Sequence, residues 1–183
     1  MIRLIFIFVT FFVLDNLLIL FLPIQPLVES YSIIPNAFLS CLCLFTFYDR
    51  GTKYSQGIKS FDSKGNKSYI FALIFGILYD IYYAGMLGLY TCLFLIIVYL
   101  IRRFFVSSMP INILSMIALM TGVIIFEEWV VFFIVSTIIN LNVTSFQFIQ
   151  YTLFPSLLFN ALLMLFIYPL LSNQFKKYQQ KLD

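Results

Sequence analysis

The sequence contains no histidine. That excludes His-ligated metal sites, Ser–His and Cys–His nucleophile pairs, and the rhomboid type of intramembrane proteolysis. Cysteine is sparse: Cys41 and Cys43 stand two apart on one helix and Cys92 is alone on another, with no C-x-x-C pair among them. The three are expected to be buried, inert thiols. No phosphate-cradling glycine loop occurs, so nucleotide chemistry of that kind is excluded too. Charge is scarcest of all, at 10% of residues, where a soluble domain carries roughly 25%.

What fills the chain instead is apolar: 62% of its residues are hydrophobic and 20% are aromatic, with a mean hydropathy of +1.01. This is the composition of an integral membrane protein. Six apolar runs of spanning or near-spanning length can be marked, at 4–22, 31–48, 69–84, 86–105, 111–138 and 151–171. They predict a single all-α domain, residues 1–183, of six transmembrane helices, with 49–68 as its one sizeable loop. The first run is too long for a removed signal, has an aspartate inside it and lacks a small-residue cleavage site, so it reads as a retained helix. All eleven Lys and Arg fall at Arg3, in the 49–68 loop, at Arg102 and Arg103, or in the tail. With both ends in the cytoplasm and six crossings, every one of them is cytoplasmic, as the positive-inside rule requires.

The polar residues within the apolar runs are the candidates for function. Asp80 falls near the outer end of the third run, followed by Gly85, where a tight antiparallel turn needs permissive backbone, and by Gly88. Its carboxylate suits the open N–H groups of the next helix, or a polar contact with another chain. Asp15, Glu127 and Glu128 lie well inside their spans, where an unpaired aspartate costs at least ~2.5–3.5 kcal/mol. No Lys or Arg lies at that depth. These acids are therefore protonated, hydrogen-bonded to groups such as Thr10, Asn16, Tyr99, Thr121 or Asn160, exposed to a watery cavity, or matched by another protein. Adjacent on a helix, Glu127 and Glu128 project about 100° apart. One is expected to face inward and the other a neighbour or cavity. Gly76 and Gly122 are expected to let helix backbones approach closely. Pro35 and Pro155 are expected in the first turns of helices two and six, where a missing N–H is tolerated. The loop, "DRGTKYSQGIKSFDSKGNKS", carries five cations against two acids. It reads as a flexible stretch on anionic lipid heads or as a protein contact.

Comparison with known catalytic patterns closes two further routes. Glu127-Glu128 resembles the E-E-x-x-x-R of CAAX-protease-like membrane enzymes, but Phe132 occupies the arginine position. Tyr79-Asp80 resembles the Y-D of presenilin-type proteases, but the G-x-G-D partner motif is absent.

The segment "FALIFGILYDIYYAGMLGLYTCLFLIIVYL" resembles the signature region of the rod shape-determining protein MreD family, a G-x-L-x-D stretch followed by L-G and an aromatic. Here those are Gly76, Leu78, Asp80, Leu87, Gly88 and Tyr90. An acid inside the first helix (Asp15), a proline opening the second (Pro35), and Pro155 with Asn160 in the last agree in order. The resemblance implies a non-enzymatic scaffold of the bacterial cell-wall elongation machinery, in the cytoplasmic membrane and without a cofactor. It implies a fold similar to the six-helix substrate-binding subunits of energy-coupling-factor transporters. The implied partners are an MreC-like single-span protein and, through it, a class B penicillin-binding protein and RodA, besides membrane lipids and no nucleic acid. The alternative is a vitamin-binding subunit of such a transporter. Those subunits couple through small residues on the first helix, and "LIFIFVTFFVLDNLLILFL" contains no Gly, Ala or Ser.

Overall fold

The computed structural model describes residues 2–22, 32–49, 52–55, 58–61, 66–84, 86–105, 111–139 and 144–179. Among these residues six helices follow one another: α1 (Ile2–Phe21), α2 (Ala37–Tyr48), α3 (Lys67–Tyr79), α4 (Leu89–Leu100), α5 (Ile113–Ile139), and α6, which runs through Ser145–Phe148, Ile149–Leu153 and Phe154–Gln179. Single π-helical turns extend α3 over Asp80–Ala84 and α4 over Ile101–Phe105, and a third forms the Ile149–Leu153 part of α6. Among the described residues three helices are long and apolar enough to cross a membrane: Ile2–Phe21, Ile113–Ile138 and Ser145–Lys177.

Three expectations change at this level. The second apolar run is not one continuous helix. Residues 32–36 are non-helical and α2 starts at Ala37, so its 12 residues rise only about 18 Å. The last helix begins at Ser145, with Thr144 as its N-cap in a reciprocal capping box with Gln147. Pro155, expected in the first turns, therefore sits in the third. Within the 49–68 loop, β1 (Thr52–Ser55) and β2 (Ile58–Phe61) pair antiparallel, Thr52 opposite Phe61 and Ser55 opposite Ile58, in place of an unstructured stretch.

The chain packs as two compact units, residues 1–38 with 113–166 and residues 39–112 with 167–183. The first buries Leu4, Phe8, Met116, Met120, Ile124 and Met164. The second is built on aromatic rings: Phe45 lies against Phe71 at 5.8 Å and Phe175 at 5.3 Å, and Tyr79 against Phe94 at 5.3 Å. Meanwhile Ile2, Phe6, Val9, Val13, Leu17 and Leu20 leave an exposed apolar stripe along α1. Water would penalise such a surface, whereas lipid tails solvate it.

Candidate functional site

A helix that begins at membrane depth has N–H groups with no partner within the helix, and lipid offers none. The start of α2 is shut off from solvent, Ala37 and Phe38 being fully buried, and the first unit answers its N–H groups with side chains. Asp15, in the middle of α1 and 1% exposed, accepts hydrogen bonds from Ala37 N–H at 2.7 Å through Oδ1 and from Phe38 N–H at 2.8 Å through Oδ2. A carboxylate on the first two N–H groups of a helix also meets the positive end of the helix dipole.

The non-helical residues before α2 are held from α6. Asn160 Oδ1 accepts the Asn36 N–H at 2.8 Å, while Asn160 Nδ2 donates to the Ile34 carbonyl at 2.8 Å. Ser156 Oγ accepts the Ile34 N–H at 3.0 Å. The Ser32 N–H donates to the Tyr151 carbonyl at 2.8 Å. In a regular α-helix that carbonyl would receive the N–H of residue 155, which is proline and has none. Pro155 thus frees an acceptor that Ser32 uses. The structure therefore brings Asp15, Pro35, Pro155 and Asn160, far apart in sequence, to one junction.

A second junction joins α3 to α4. Asp80, 1% exposed, accepts from Gly88 N–H at 2.8 Å, Tyr90 N–H at 2.6 Å, Thr91 N–H at 3.3 Å and the Thr91 hydroxyl at 2.6 Å. Of the two roles open to it in the sequence, this geometry is the helix-joining one. Gly88, the N-cap of α4, has φ +103°, a conformation in which a side chain is strained. At Gly76 a Cβ would come within 2.6 Å of Thr91 Cα, so the α3–α4 backbones approach as closely as they do because residue 76 has no side chain. Gly85 lies outside the described residues, as do 23–31 and 140–143 between helices.

Sequence reasoning missed a third junction of the same kind. Asp49, just past α2, accepts the Ser68 N–H at the start of α3 at 2.8 Å and pairs with Arg102 at 2.8 Å. The Arg102 guanidinium also lies 4.9 Å from the centre of the Tyr69 ring. Burial pushes the Asp49 carboxyl up from its ordinary value, against the Ser68 N–H and Arg102, which pull it down. The signal was available: Asp49 follows an apolar run directly, and a buried helix-end acid needs donors. Asp15, Asp49 and Asp80 each sit on, or at the end of, one helix and satisfy the start of the next.

Glu127 and Glu128 depart from expectation. Both are buried, each 4% exposed, where one was expected to face a neighbour or cavity. Glu127 Oε2 and both carboxyl oxygens of Glu128 are buried without a hydrogen-bond partner. Next in the chain, Trp129 meets the rings of Phe132 and Phe148 edge-on, and those two rings stack at 4.2 Å. The hydroxyls and amide proposed as partners for the acids turn elsewhere: Thr10, Asn16 and Thr121 bond carbonyls one turn back in their own helices, and Tyr99 is exposed. Two smaller expectations fail as well. Among the described residues nothing lies within 4 Å of a Cβ at Gly122, so that glycine mediates no close approach between them. Cys92 is exposed, while Cys41 and Cys43 are buried. Among the described residues no group of three His, Cys, Asp or Glu could hold a metal ion.

Long apolar helices, with buried acids that satisfy the starts of their neighbours, define a helical membrane protein. A family model described as rod shape-determining protein MreD matches residues 60–178, about two thirds of the chain. The chain belongs to the MreD family, whose members are structural determinants of cell shape. No curated protein and no solved structure matches it.

Proposed function

We propose that this protein is a non-enzymatic scaffold subunit of the peptidoglycan elongation machinery, holding an MreC-like single-span membrane protein and, through it, a class B penicillin-binding protein and RodA. The family match over residues 60–178 carries this reading. The exposed apolar stripe on α1 supports residence in a bilayer. The distribution of Lys and Arg supports six crossings of the bacterial cytoplasmic membrane with both termini inside, in an arrangement similar to the substrate-binding subunits of energy-coupling-factor transporters. In this reading Asp15, Asp80 and Asn160 act by keeping helix junctions intact, so that the surface offered to a partner keeps its shape.

Detergent extraction of a tagged copy from its own cells tests the reading. An MreC-like single-span protein should be recovered with it in fixed ratio. Recovery of a vitamin such as riboflavin or thiamine in stoichiometric amount, with no such partner, would favour a transporter subunit instead. Topology is checked separately: a reporter active only outside the cell should be silent when fused after Lys64 or Lys181 and active when inserted near Asn142.

A further inference from the structure

Four helix ends meet where α2 stops. Tyr48, its last residue, lies against Phe175 near the end of α6, the ring centres 6.0 Å apart. Asp49 follows and accepts the Ser68 N–H at the start of α3 at 2.8 Å. From the end of α4, Arg102 donates to the same carboxylate at 2.8 Å and to the Asp49 carbonyl at 3.2 Å. The positions beside these contacts are cationic: Lys67 precedes Ser68, Arg103 follows Arg102, and Lys176 and Lys177 follow Phe175. Among the described residues of these four helices, this end gathers five cations against one acid, Asp49, since Asp80 stands at the opposite end of α3. Three helix C-termini against one N-terminus offset about one of those charges, and about three remain. Between Asp49 and Lys67 the sequence adds four more cations and one acid, so the chain leaving and re-entering this junction strengthens the same positive field.

The cations divide into two groups. Arg102 is spent inside the protein, on a buried Asp49 and the face of Tyr69. Arg103, Lys176 and Lys177 are exposed and, among the described residues, pair with no acid. Apolar surface adjoins them: Phe104, directly after Arg103, is exposed, and so is Leu170, seven positions before Lys177 and about 10 Å along α6. A ligand that fits both halves carries a negative head and an apolar tail. An acidic peptide would match the charge and leave the apolar half uncovered. We propose that this end of the protein binds the headgroups of anionic phospholipids, with Arg103, Lys176 and Lys177 meeting their phosphates while acyl chains cover Phe104 and Leu170. Neighbours in sequence thus do different work: Arg102 closes the helix junction, and Arg103 faces the lipid.

Native mass spectrometry of the full chain, released from vesicles of phosphatidylglycerol and phosphatidylcholine in equal parts, counts the lipids it keeps. The wild type should keep phosphatidylglycerol above its share, and less of it as salt is raised. One cation near an anionic surface is worth about fivefold in affinity, so R103Q/K176Q/K177Q should lower phosphatidylglycerol retention by at least about that factor. In nanodiscs of phosphatidylcholine alone the triple variant should melt with the wild type, since these three side chains hold no other part of the protein. Phosphatidylglycerol retention undiminished in the folded triple variant overturns the proposal. So does earlier melting of that variant in phosphatidylcholine, which would give the cations a structural role. Equal retention of the two lipids by the wild type overturns it as well, and binding of oligoglutamate in that case would assign the surface to an acidic protein segment.

Discussion

At the junction of α1 with α2, a buried acid meets two backbone N–H groups; midway along α5, two buried acids meet none. Both regions belong to the same compact unit and exclude solvent to the same degree. What separates them is the backbone opposite. Asp15 faces a helix that begins, with open donors, whereas the interior of a helix presents no free N–H. Depth alone thus does not decide what a membrane-embedded carboxyl does. Its partner is a chain irregularity, and where the irregularity is missing the charge has no support.

The comparison is broken most severely at Asp15. Asp15→Leu removes both acceptors from N–H groups that no water reaches, and should destabilise the protein by about 3–5 kcal/mol. Asp15→Asn keeps one acceptor and should lose about half of that. Melting temperatures in detergent, with helical content followed by circular dichroism, check both. Equal melting of the leucine variant and the wild type would show that α2 does not depend on α1 for its start.

Asp80 sharpens the contrast, because its donors are only partly buried. Headgroup water can replace part of what is lost, so Asp80→Leu should destabilise by about 1–3 kcal/mol and Asp80→Asn by less. Gly76→Ala attacks the same hairpin by another route, driving a methyl group against Thr91 backbone, and should lose about 1–3 kcal/mol. If the asparagine variant folds normally but fails to recover a partner protein, Asp80 also serves a contact outside the chain.

The Asp49 junction should be weaker and pH-dependent. Arg102→Met should cost about 1–2 kcal/mol near neutral pH, since Asp49 keeps the Ser68 N–H but loses its cation. Without Arg102 the Asp49 carboxyl moves further up, so the folded state binds a proton more tightly than the unfolded chain does. Stability of the variant therefore rises as pH falls into the acidic range and is lost as pH climbs through the folded-state value. Parallel urea titrations at mildly acidic and mildly alkaline pH measure this; a gap between variant and wild type that widens in acid contradicts it.

How much of this was readable in advance depended on separation along the chain. Asp80 and its donors lie 8 to 11 residues apart, and a carboxylate before a glycine-rich turn points to them directly. Asp15 and its donors lie 22 and 23 residues apart, in a stretch whose apolar side chains suit a helix and an extended strand equally. In lipid, hydropathy reports immersion and not conformation, which is why residues 31–36 read as helix. Pro35-Asn36 did carry the signal: a residue before proline avoids the helical region, and asparagine favours a helix start. Asn160 and Ser156 reach that segment across more than 120 residues, a distance at which no local pattern in one sequence speaks.

The smallest expected effect belongs to Gly122, and it separates two uses of glycine that look alike in sequence. Gly76 and Gly122 both interrupt apolar helices, and both suggest close helix packing. At Gly76 an added Cβ meets backbone at 2.6 Å, while at Gly122 it meets nothing within 4 Å. Gly122→Ala therefore adds no clash and removes the backbone freedom that glycine loses on folding, which should leave stability unchanged or raise it by up to ~1 kcal/mol. The exposed position also faces outward from its unit, where a neighbouring helix from another protein could use the missing side chain. Melting temperature and recovery of partner protein distinguish the cases: a Gly122→Ala variant that melts like the wild type but recovers less partner marks this face of α5 as a contact surface, and one unchanged in both leaves Gly122 as a glycine facing lipid.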